Sequence, residues 1–278
     1  MIKVDLAKPL KPSATTSLKV VMVFGHAMEP YPQSISQSER QLVRFRDNHF
    51  VLSPYPTTKL TTTVKLASSS IQTSSQLQPT TIKGDTITYG PYENLKPFSH
   101  SPMMIHFENQ KPFLSVVRLN REIDISHWGR VSIEESHHWR NDGAELKGGF
   151  SRYEYQINPM ATGHSAIKEV TLFVPKNAED VWYRDAIGNI STSHWHDTKV
   201  QLQPRFPLFG GWQTKFCWGY LIPTEQVLFY DVDNPTRFTL NITFGPHFEE
   251  DVIIDYQRVR FLLCFGARQH HSNLYNYV

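Results

Sequence analysis

The sequence has few cysteines, a net charge close to zero and no long apolar runs. Its two cysteines, Cys217 and Cys264, leave either one bridge or two buried free thiols open, and they exclude a disulfide framework or a cysteine-type metal site. The 28 lysines and arginines nearly balance the 26 aspartates and glutamates, so the charge does not favour nucleic acid as a partner. The longest apolar stretches, Val20 to Phe24 and Phe261 to Phe265, reach about a quarter of the length of a membrane-spanning helix. The N-terminal residues lack the apolar core of a secretory signal. We therefore expect neither a signal peptide nor a transmembrane helix in the chain as written.

The hydrophobic periodicity is that of β-strands. Arg237 to Phe244 alternates strictly, with Phe238, Leu240, Ile242 and Phe244 on one face, and this predicts a half-buried strand whose Phe238 faces the core. Shorter strands are predicted at Lys19–Phe24, Thr63–Ala67, Phe113–Leu119, Val131–Glu134, Glu169–Val174 and Val227–Val232. The 18 prolines and 14 glycines interrupt these segments, and no long stretch keeps a helical period. The fold class is therefore predicted to be all-β.

The composition changes along the chain and suggests two units. Ser53–Pro102 is rich in serine, threonine and proline, which favours surface loops between short strands, with a disordered linker as the alternative. Strands and tryptophans become more frequent from about Val116. We expect two tandem β-sandwich-like domains, residues 1–117 and 118–278. One short helix is predicted at Gln37–Val43, because Ser36 and Glu39 form a capping-box pattern.

Motifs that identify an enzyme are missing: there is no phosphate-binding loop, no nucleophile elbow and no His-Glu-x-x-His helix. The pairs Glu134–Glu135 and His137–His138 have the side chains that acid–base or metal chemistry uses. Neighbours on a strand point to opposite faces, however, so neither adjacent pair converges on one ion. We interpret these residues as solvated or packing side chains and predict no catalytic residue, no cofactor and no metal site.

Three further groups have a structural and a functional interpretation. The acidic run Glu249–Asp251 resembles a cation site only in composition, and His270–His271 lies in a weakly patterned tail, so exposure is expected for both. The aromatic stretch Phe206–Trp218 suits a sugar-stacking platform, but aromatic residues more often dominate a core. Core packing around a Gly210–Gly211 turn is therefore the preferred interpretation.

Two Asn-x-Ser/Thr sequons predict N-glycosylation. Asn189 follows Gly188, and this pair is typical of an exposed hairpin tip. Asn241 lies on the polar face of the alternating segment described above, in mid-strand. Asn234 is excluded because Pro235 follows it.

Several long strings in the chain resemble the ribophorin I family. They are EPYPQSISQSERQLVRF (Glu29–Phe45), NHFVLSPYPT (Asn48–Thr57), YGPYENL (Tyr89–Leu95), SHWGRVSIEE (Ser126–Glu135), LKGGFSRYEYQ (Leu146–Gln156), WYRDAIGNISTSH (Trp182–His194) and QPRFPLFGGW (Gln203–Trp212). The similarity extends from about Lys3 to Gln257 and fades in the final residues. Compared with the family, the chain looks truncated at both ends, with the first domain incomplete.

The resemblance implies a non-catalytic subunit of the oligosaccharyltransferase complex of the endoplasmic reticulum. Family members contribute luminal β-rich domains that hold or present substrate polypeptide beside a separate catalytic subunit. The implied partners are other subunits of that complex, the translocon and nascent polypeptides, and the implied glycan acceptor is Asn189. Two rival interpretations are a stand-alone carbohydrate-active enzyme that uses Glu134 or Glu135, and a carbohydrate-binding module that uses Trp212 or Trp218.

Overall fold

Strands account for nearly all of the regular structure. The computed structural model describes residues 9–126, 128–158, 163–234 and 236–263. Within these ranges one short α-helix and one 3-10 turn accompany the strands, which confirms the all-β prediction. No helix in the described part of the chain is long and apolar enough to cross a bilayer.

Seven of the first eight strands form two small antiparallel sheets around one core. The eight are β1 (Met28–Pro30), β2 (Ser34–Ile35), β3 (Leu42–Asn48), β4 (Thr57–Lys65), β5 (Ile71–Ser74), β6 (Thr80–Lys83), β7 (Thr86–Leu95) and β8 (Pro102–Glu108). One sheet has the order β1-β3-β8-β5 and the other β4-β7-β6. Val43, Ile87, Tyr89 and Ile105 are fully buried between them. The span Ser53–Pro102 therefore carries four strands and their connecting loops, and the alternative of a disordered linker is wrong.

Most of the remaining strands build a larger sandwich, while Leu228–Tyr230 and Phe238–Leu240 form a separate hairpin. They are β9 (Leu114–Ile125), β10 (Arg130–Asn141), β11 (Glu145–Leu146), β12 (Val170–Phe173), β13 (Glu179–Asp185), β14 (His194–His196), β15 (Lys199–Leu202), β16 (Gln213–Pro223), β17 (Leu228–Tyr230), β18 (Phe238–Leu240), β19 (His247–Phe248), β20 (Ile253–Ile254) and β21 (Gln257–Leu263), with helix α1 at Arg152–Ile157 and the 3-10 turn at Thr224–Gln226. A six-stranded sheet runs β13-β16-β10-β9, with β20 and β21 both parallel to β9. A second sheet runs β14-β15-β12-β19. Side chains of both sheets share one core, which includes Ile133, Trp139, Leu172 and Val200.

A buried amide, Gln41, connects the two cores, and a second, Asn141, holds the loops of the larger one. Oε1 of Gln41 accepts a hydrogen bond from the backbone N–H of Ala144 at 2.8 Å, and its Nε2 donates to the carbonyl of Asn109 at 2.9 Å. Nδ2 of Asn141 donates to the carbonyls of Ser165 and Leu208 at 2.8 and 2.9 Å. Because a buried amide is costly unless it is hydrogen-bonded, these contacts fix how the loop before β3 meets the loop after β10. The parallel pairing of β2 with β11 lies beside them.

Two predicted elements are wrong. The segment predicted as a helix, Gln37–Val43, forms a turn that leads into β3. Glu39 does accept a hydrogen bond from the backbone N–H of Ser36 at 2.5 Å, but no helix follows, because Gln41 is held by the distant bonds described above. Lys19–Phe24, predicted as a strand, pairs with no strand in the part of the chain that the structure describes, and Val23 is 87% exposed.

Candidate functional site

The six-stranded sheet buries a cluster of polar side chains on its inner face. Arg121 of β9, Glu135 of β10 and Trp218 of β16 lie directly opposite one another in the register of the three strands. His137 and Tyr220 are two positions away along their own strands and therefore share that face. All five side chains are almost completely buried. We call these five residues the charged cluster.

The hydrogen bonds of the cluster assign its protons. Glu135 accepts from Nη1 of Arg121 through Oε1, and from Nε1 of Trp218 through Oε2 at 3.0 Å. Nε1 of Trp139 donates to Nδ1 of His137 at 3.1 Å, so Nδ1 carries no proton. The ring proton is then assigned to Nε2, which lies 2.8 Å from Oε2 of Glu135 and donates to it, so the 3.1 Å contact between Nε2 and Nε1 of Trp218 is not a hydrogen bond in this tautomer. With a neutral imidazole, one guanidinium and one carboxylate, the cluster is neutral.

Glu135 is ionised despite its burial. Burial acts to raise its pKa, but the hydrogen bond from His137 and the charge of Arg121 outweigh it, so the pKa of Glu135 lies below its ordinary value. Burial acts to lower the pKa of Arg121, and the charge of Glu135 overcomes it, so that pKa is raised. The cluster therefore contains an ion pair inside the sandwich, and each of its two charges stabilises the other.

The charged cluster is closed to a substrate. Phe216 stacks on the ring of His137 with centroids 5.1 Å apart, and Oγ1 of Thr243 lies 3.5 Å from Nη2 of Arg121. A general acid or base has to come within hydrogen-bonding distance of the group that reacts. The side chains of Glu135 and His137 expose 0% of their surface, so this arrangement cross-links strands and offers no group to a ligand.

The outer neighbours of the cluster lie on the opposite face of the sheet, as the sequence predicts. Oε1 of Glu134 lies 3.8 Å from Nη2 of Arg184, and Nε2 of His138 lies 2.7 Å from Oε1 of Gln213. The prediction that neither adjacent pair converges is therefore confirmed. It overlooked the pair two residues apart, Glu135 and His137, which does converge.

The acidic run does not resemble a cation site in the structure. Glu249 pairs with Nζ of Lys199 at 2.9 Å, and Glu250 accepts a hydrogen bond from the backbone N–H of Thr171 at 3.0 Å. Asp251 is exposed. Among the described residues no group of three or more histidine, cysteine, aspartate or glutamate side chains could hold a metal ion. His270–His271 lies outside the described residues, and so does Cys264, while Cys217 is a half-buried free thiol.

The aromatic stretch belongs mainly to the core. Phe209, Phe216 and Trp218 are buried, and Trp212 packs in a group with Phe150, Phe206 and Phe209 at centroid distances of 5.4 to 5.9 Å. A Cβ atom on Gly210 would lie 1.9 Å from the carbonyl oxygen of Ala144, so only glycine fits there. The preferred interpretation, core packing around the Gly210–Gly211 turn, is confirmed.

Asn189 lies just after the turn of the predicted hairpin, where it pairs with Arg184. β13 ends at Asp185, whose Oδ1 accepts hydrogen bonds from the backbone N–H groups of Ile187 and Gly188 at 2.9 and 3.1 Å. Arg205 clamps the turn: its Nε donates to Oδ2 of Asp185 at 2.6 Å, and its Nη2 donates to the carbonyl of Asn189 at 3.3 Å. The hydrogen bond from Arg205 lowers the pKa of Asp185 to about 2. Asn189 itself is exposed.

The second sequon lies after a shorter strand than predicted. β18 ends at Leu240, and the backbone N–H of Asn241 donates to the carbonyl of Val227 at 2.7 Å. Asn241 is exposed, as expected. The prediction that Phe238 faces the core is wrong: it is 58% exposed, because only Leu240 and Ile242 of the apolar face reach the core.

Comparison with known proteins identifies the family. The family model described as ribophorin I matches residues 1–277. Dolichyl-diphosphooligosaccharide–protein glycosyltransferase subunit 1B of Arabidopsis thaliana is 41% identical over 270 residues, which is 96% of this chain and 58% of the relative. Its counterpart in Oryza sativa is 40% identical over 266 residues (94% and 56%), and subunit 1 of Caenorhabditis elegans is 33% identical over 266 residues (94% and 45%). The chain thus spans about half the length of these curated relatives. This chain belongs to the ribophorin I family.

Proposed function

We propose that this chain acts as a subunit of the oligosaccharyltransferase complex, which moves a preassembled oligosaccharide from dolichyl diphosphate to asparagine. The observation that carries the proposal is the match to the ribophorin I family over residues 1–277, together with relatives named as subunit 1 of that glycosyltransferase. The implied site of action is the luminal side of the endoplasmic reticulum membrane. The implied partners are the other subunits, including the catalytic one, with the translocon and nascent polypeptides beside them.

We further propose that the role is non-catalytic, as a scaffold or a presenter of substrate polypeptide. In support, the convergent carboxylate and imidazole of the described residues, Glu135 and His137, are sealed inside the sandwich and neutralised by Arg121. Glu134 is half-exposed on the other face of the same sheet. A glycosidase-like mechanism needs two carboxylates that face one sugar, about 5 to 9.5 Å apart. Chemistry of that kind falls to another subunit in this proposal.

The domain division at residues 117 and 118 and the two glycan acceptors are part of the same proposal. The division falls inside β9, shortly after the connection from β8, where the chain leaves the smaller core for the larger one. Asn189 and Asn241 are both exposed, so a glycan on either would meet no packed side chain. Peptide mapping before and after removal of N-glycans measures the occupancy of each asparagine.

The experiment for the proposed function is affinity purification of the tagged full chain from cells, followed by mass spectrometry. We expect the subunits of the oligosaccharyltransferase complex to co-purify in stable ratios. Glu134→Ala provides a control, because that side chain lies on the surface and should leave recovery and glycosyl transfer unchanged. A chain that recovers none of the subunits would contradict the proposal, as would hydrolysis or transfer by the purified chain alone.

A further inference from the structure

The hairpin of β17 and β18 has one apolar face, which is partly packed against the core and partly exposed to solvent. In its antiparallel register Leu228 lies opposite Leu240, and Tyr230 lies opposite Phe238. These four side chains share one face, since alternate residues of a strand point the same way. Leu240 packs against the core of the larger sandwich, whereas Tyr230 and Phe238 are 66% and 58% exposed. An aromatic pair therefore continues the inner face of the hairpin beyond the protein's own core.

The outer edges of the two hairpin strands also pair with no other strand among the described residues. Each of these strands is three residues long. A hairpin of two strands is only marginally stable in water, and a third strand or a packed face is needed to stabilise it. Open strand edges accept an extended polypeptide, because its main chain completes the hydrogen-bond ladder and its alternate side chains meet one face.

The charge around the hairpin restricts what can bind there. Between residues 224 and 240 three carboxylates, Glu225, Asp231 and Asp233, accompany a single cation, Arg237. The hairpin is thus locally acidic in a chain whose net charge is +2. Complementary charge favours a segment that carries lysine or arginine next to its apolar residues, and repels an acidic one.

We propose that this hairpin docks an extended polypeptide segment that is basic and has apolar side chains at alternate positions, added to the hairpin as a third strand. The proposal rests on the proposed function, because a substrate-presenting subunit has to hold unfolded chain in an extended form. On this surface the aromatic pair Tyr230 and Phe238 anchors the apolar side chains of the segment, and Asp231 and Asp233 attract its basic groups. The sequon at Asn241 follows on the opposite face of the alternation, so a glycan there leaves the aromatic pair free.

Fluorescence anisotropy on the purified full chain tests this proposal. The probe is a fluorescein-labelled synthetic peptide in which valine alternates with threonine between lysine ends, and its counterpart carries glutamate in place of lysine. We expect saturable binding of the lysine peptide that weakens as salt rises, with the glutamate peptide bound at least about tenfold more weakly. Tyr230→Ser and Phe238→Ser should each raise the Kd of the lysine peptide by about tenfold.

Phe229→Ser is the matched control, because Phe229 is 48% exposed on the opposite face of the same hairpin. It should leave the Kd unchanged. The proposal is overturned if the lysine peptide does not bind, if both peptides bind equally, or if Phe229→Ser weakens binding as much as Phe238→Ser. Urea unfolding of each variant shows whether the fold is retained.

Co-purification with the oligosaccharyltransferase subunits separates the two proposals. Phe238→Ser should bind the lysine peptide about tenfold more weakly and still co-purify. Peptide binding by a chain that recovers no subunit would contradict the proposed function and leave the docking surface in place.

Discussion

Removal of the Glu135 carboxylate is expected to destabilise the protein strongly. Glu135→Ala leaves the guanidinium of Arg121 buried, with 1% of its side chain exposed and no carboxylate beside it. It also removes the acceptor for the N–H groups of His137 and Trp218. Breaking a buried ion pair by deleting one partner costs about 3 to 5 kcal/mol. Because a domain is stable by only about 5 to 15 kcal/mol, this loss is a large part of the total.

Urea denaturation followed by tryptophan fluorescence measures the loss, since Trp218 belongs to the cluster and Trp139 donates a hydrogen bond to it. Glu134→Ala, on the outer face of the same strand, should cost less than about 0.5 kcal/mol. The double variant Arg121→Met/Glu135→Gln removes both charges and keeps an acceptor for Trp218. It should be more stable than Glu135→Ala by roughly 2 kcal/mol.

The free energy of unfolding that Glu135 contributes is expected to decrease at acidic pH. Because the pKa of Glu135 in the folded protein lies below its ordinary value of 4.5, its contribution to stability is present above pH 4.5. That contribution is lost as the pH falls through the folded-state pKa. A cost for Glu135→Ala within about 1 kcal/mol of that for Glu134→Ala would refute the reasoning, because the buried charge would then need no partner.

Three further outcomes are expected. Phe238→Ala should lower the free energy of unfolding by less than about 1 kcal/mol and Leu240→Ala by about 1 to 2 kcal/mol, because only Leu240 packs against the core; equal losses in urea unfolding would contradict this difference in burial. Gly210→Ala should lower the free energy of unfolding by roughly 1 to 3 kcal/mol, since its Cβ would overlap a carbonyl oxygen. An unchanged melting temperature would contradict that packing. The stability that the protein gains from the pairing of Asp185 with Arg205 should be complete above the ordinary aspartate pKa of 3.8 and should be lost as the pH falls through about 2. Carbon-detected NMR titration of Asp185 measures this pKa, and an ordinary value would contradict the clamp.

Hydrophobic alternation identified strands in sheets that bury one face and leave the other face partly exposed. β10 was recognised in part, at Val131–Glu134, because its odd-numbered residues are buried and its even-numbered ones are partly exposed. The same alternation failed at Lys19–Phe24 and at Phe238. A hydrophobic period of two residues shows which side chains share a face, but it does not show whether a partner strand or a core covers that face.

The predicted helix at Gln37–Val43 failed for a related reason. The local cap contact between Ser36 and Glu39 forms. The distant bonds of Gln41 to Asn109 and Ala144 then select a turn and a strand. Local signals are a weak prior that tertiary contacts override.

The charged cluster was missed because its members meet through strand register. Glu135 and His137 are two residues apart, and the period of a strand places them on one face. This signal was readable in the sequence. Arg121 and Trp218 come from two other strands, and which residues they lie opposite depends on the pairing of β9, β10 and β16. That pairing cannot be read from one sequence.

Glycosyl transfer by an oligosaccharyltransferase complex that contains Arg121→Met/Glu135→Gln tests the central claim most directly. The variant should assemble with the other subunits and transfer oligosaccharide to a model acceptor peptide at the rate of the unmodified complex, because the charged cluster has a structural role alone. Loss of transfer in a complex that still assembles would contradict the account.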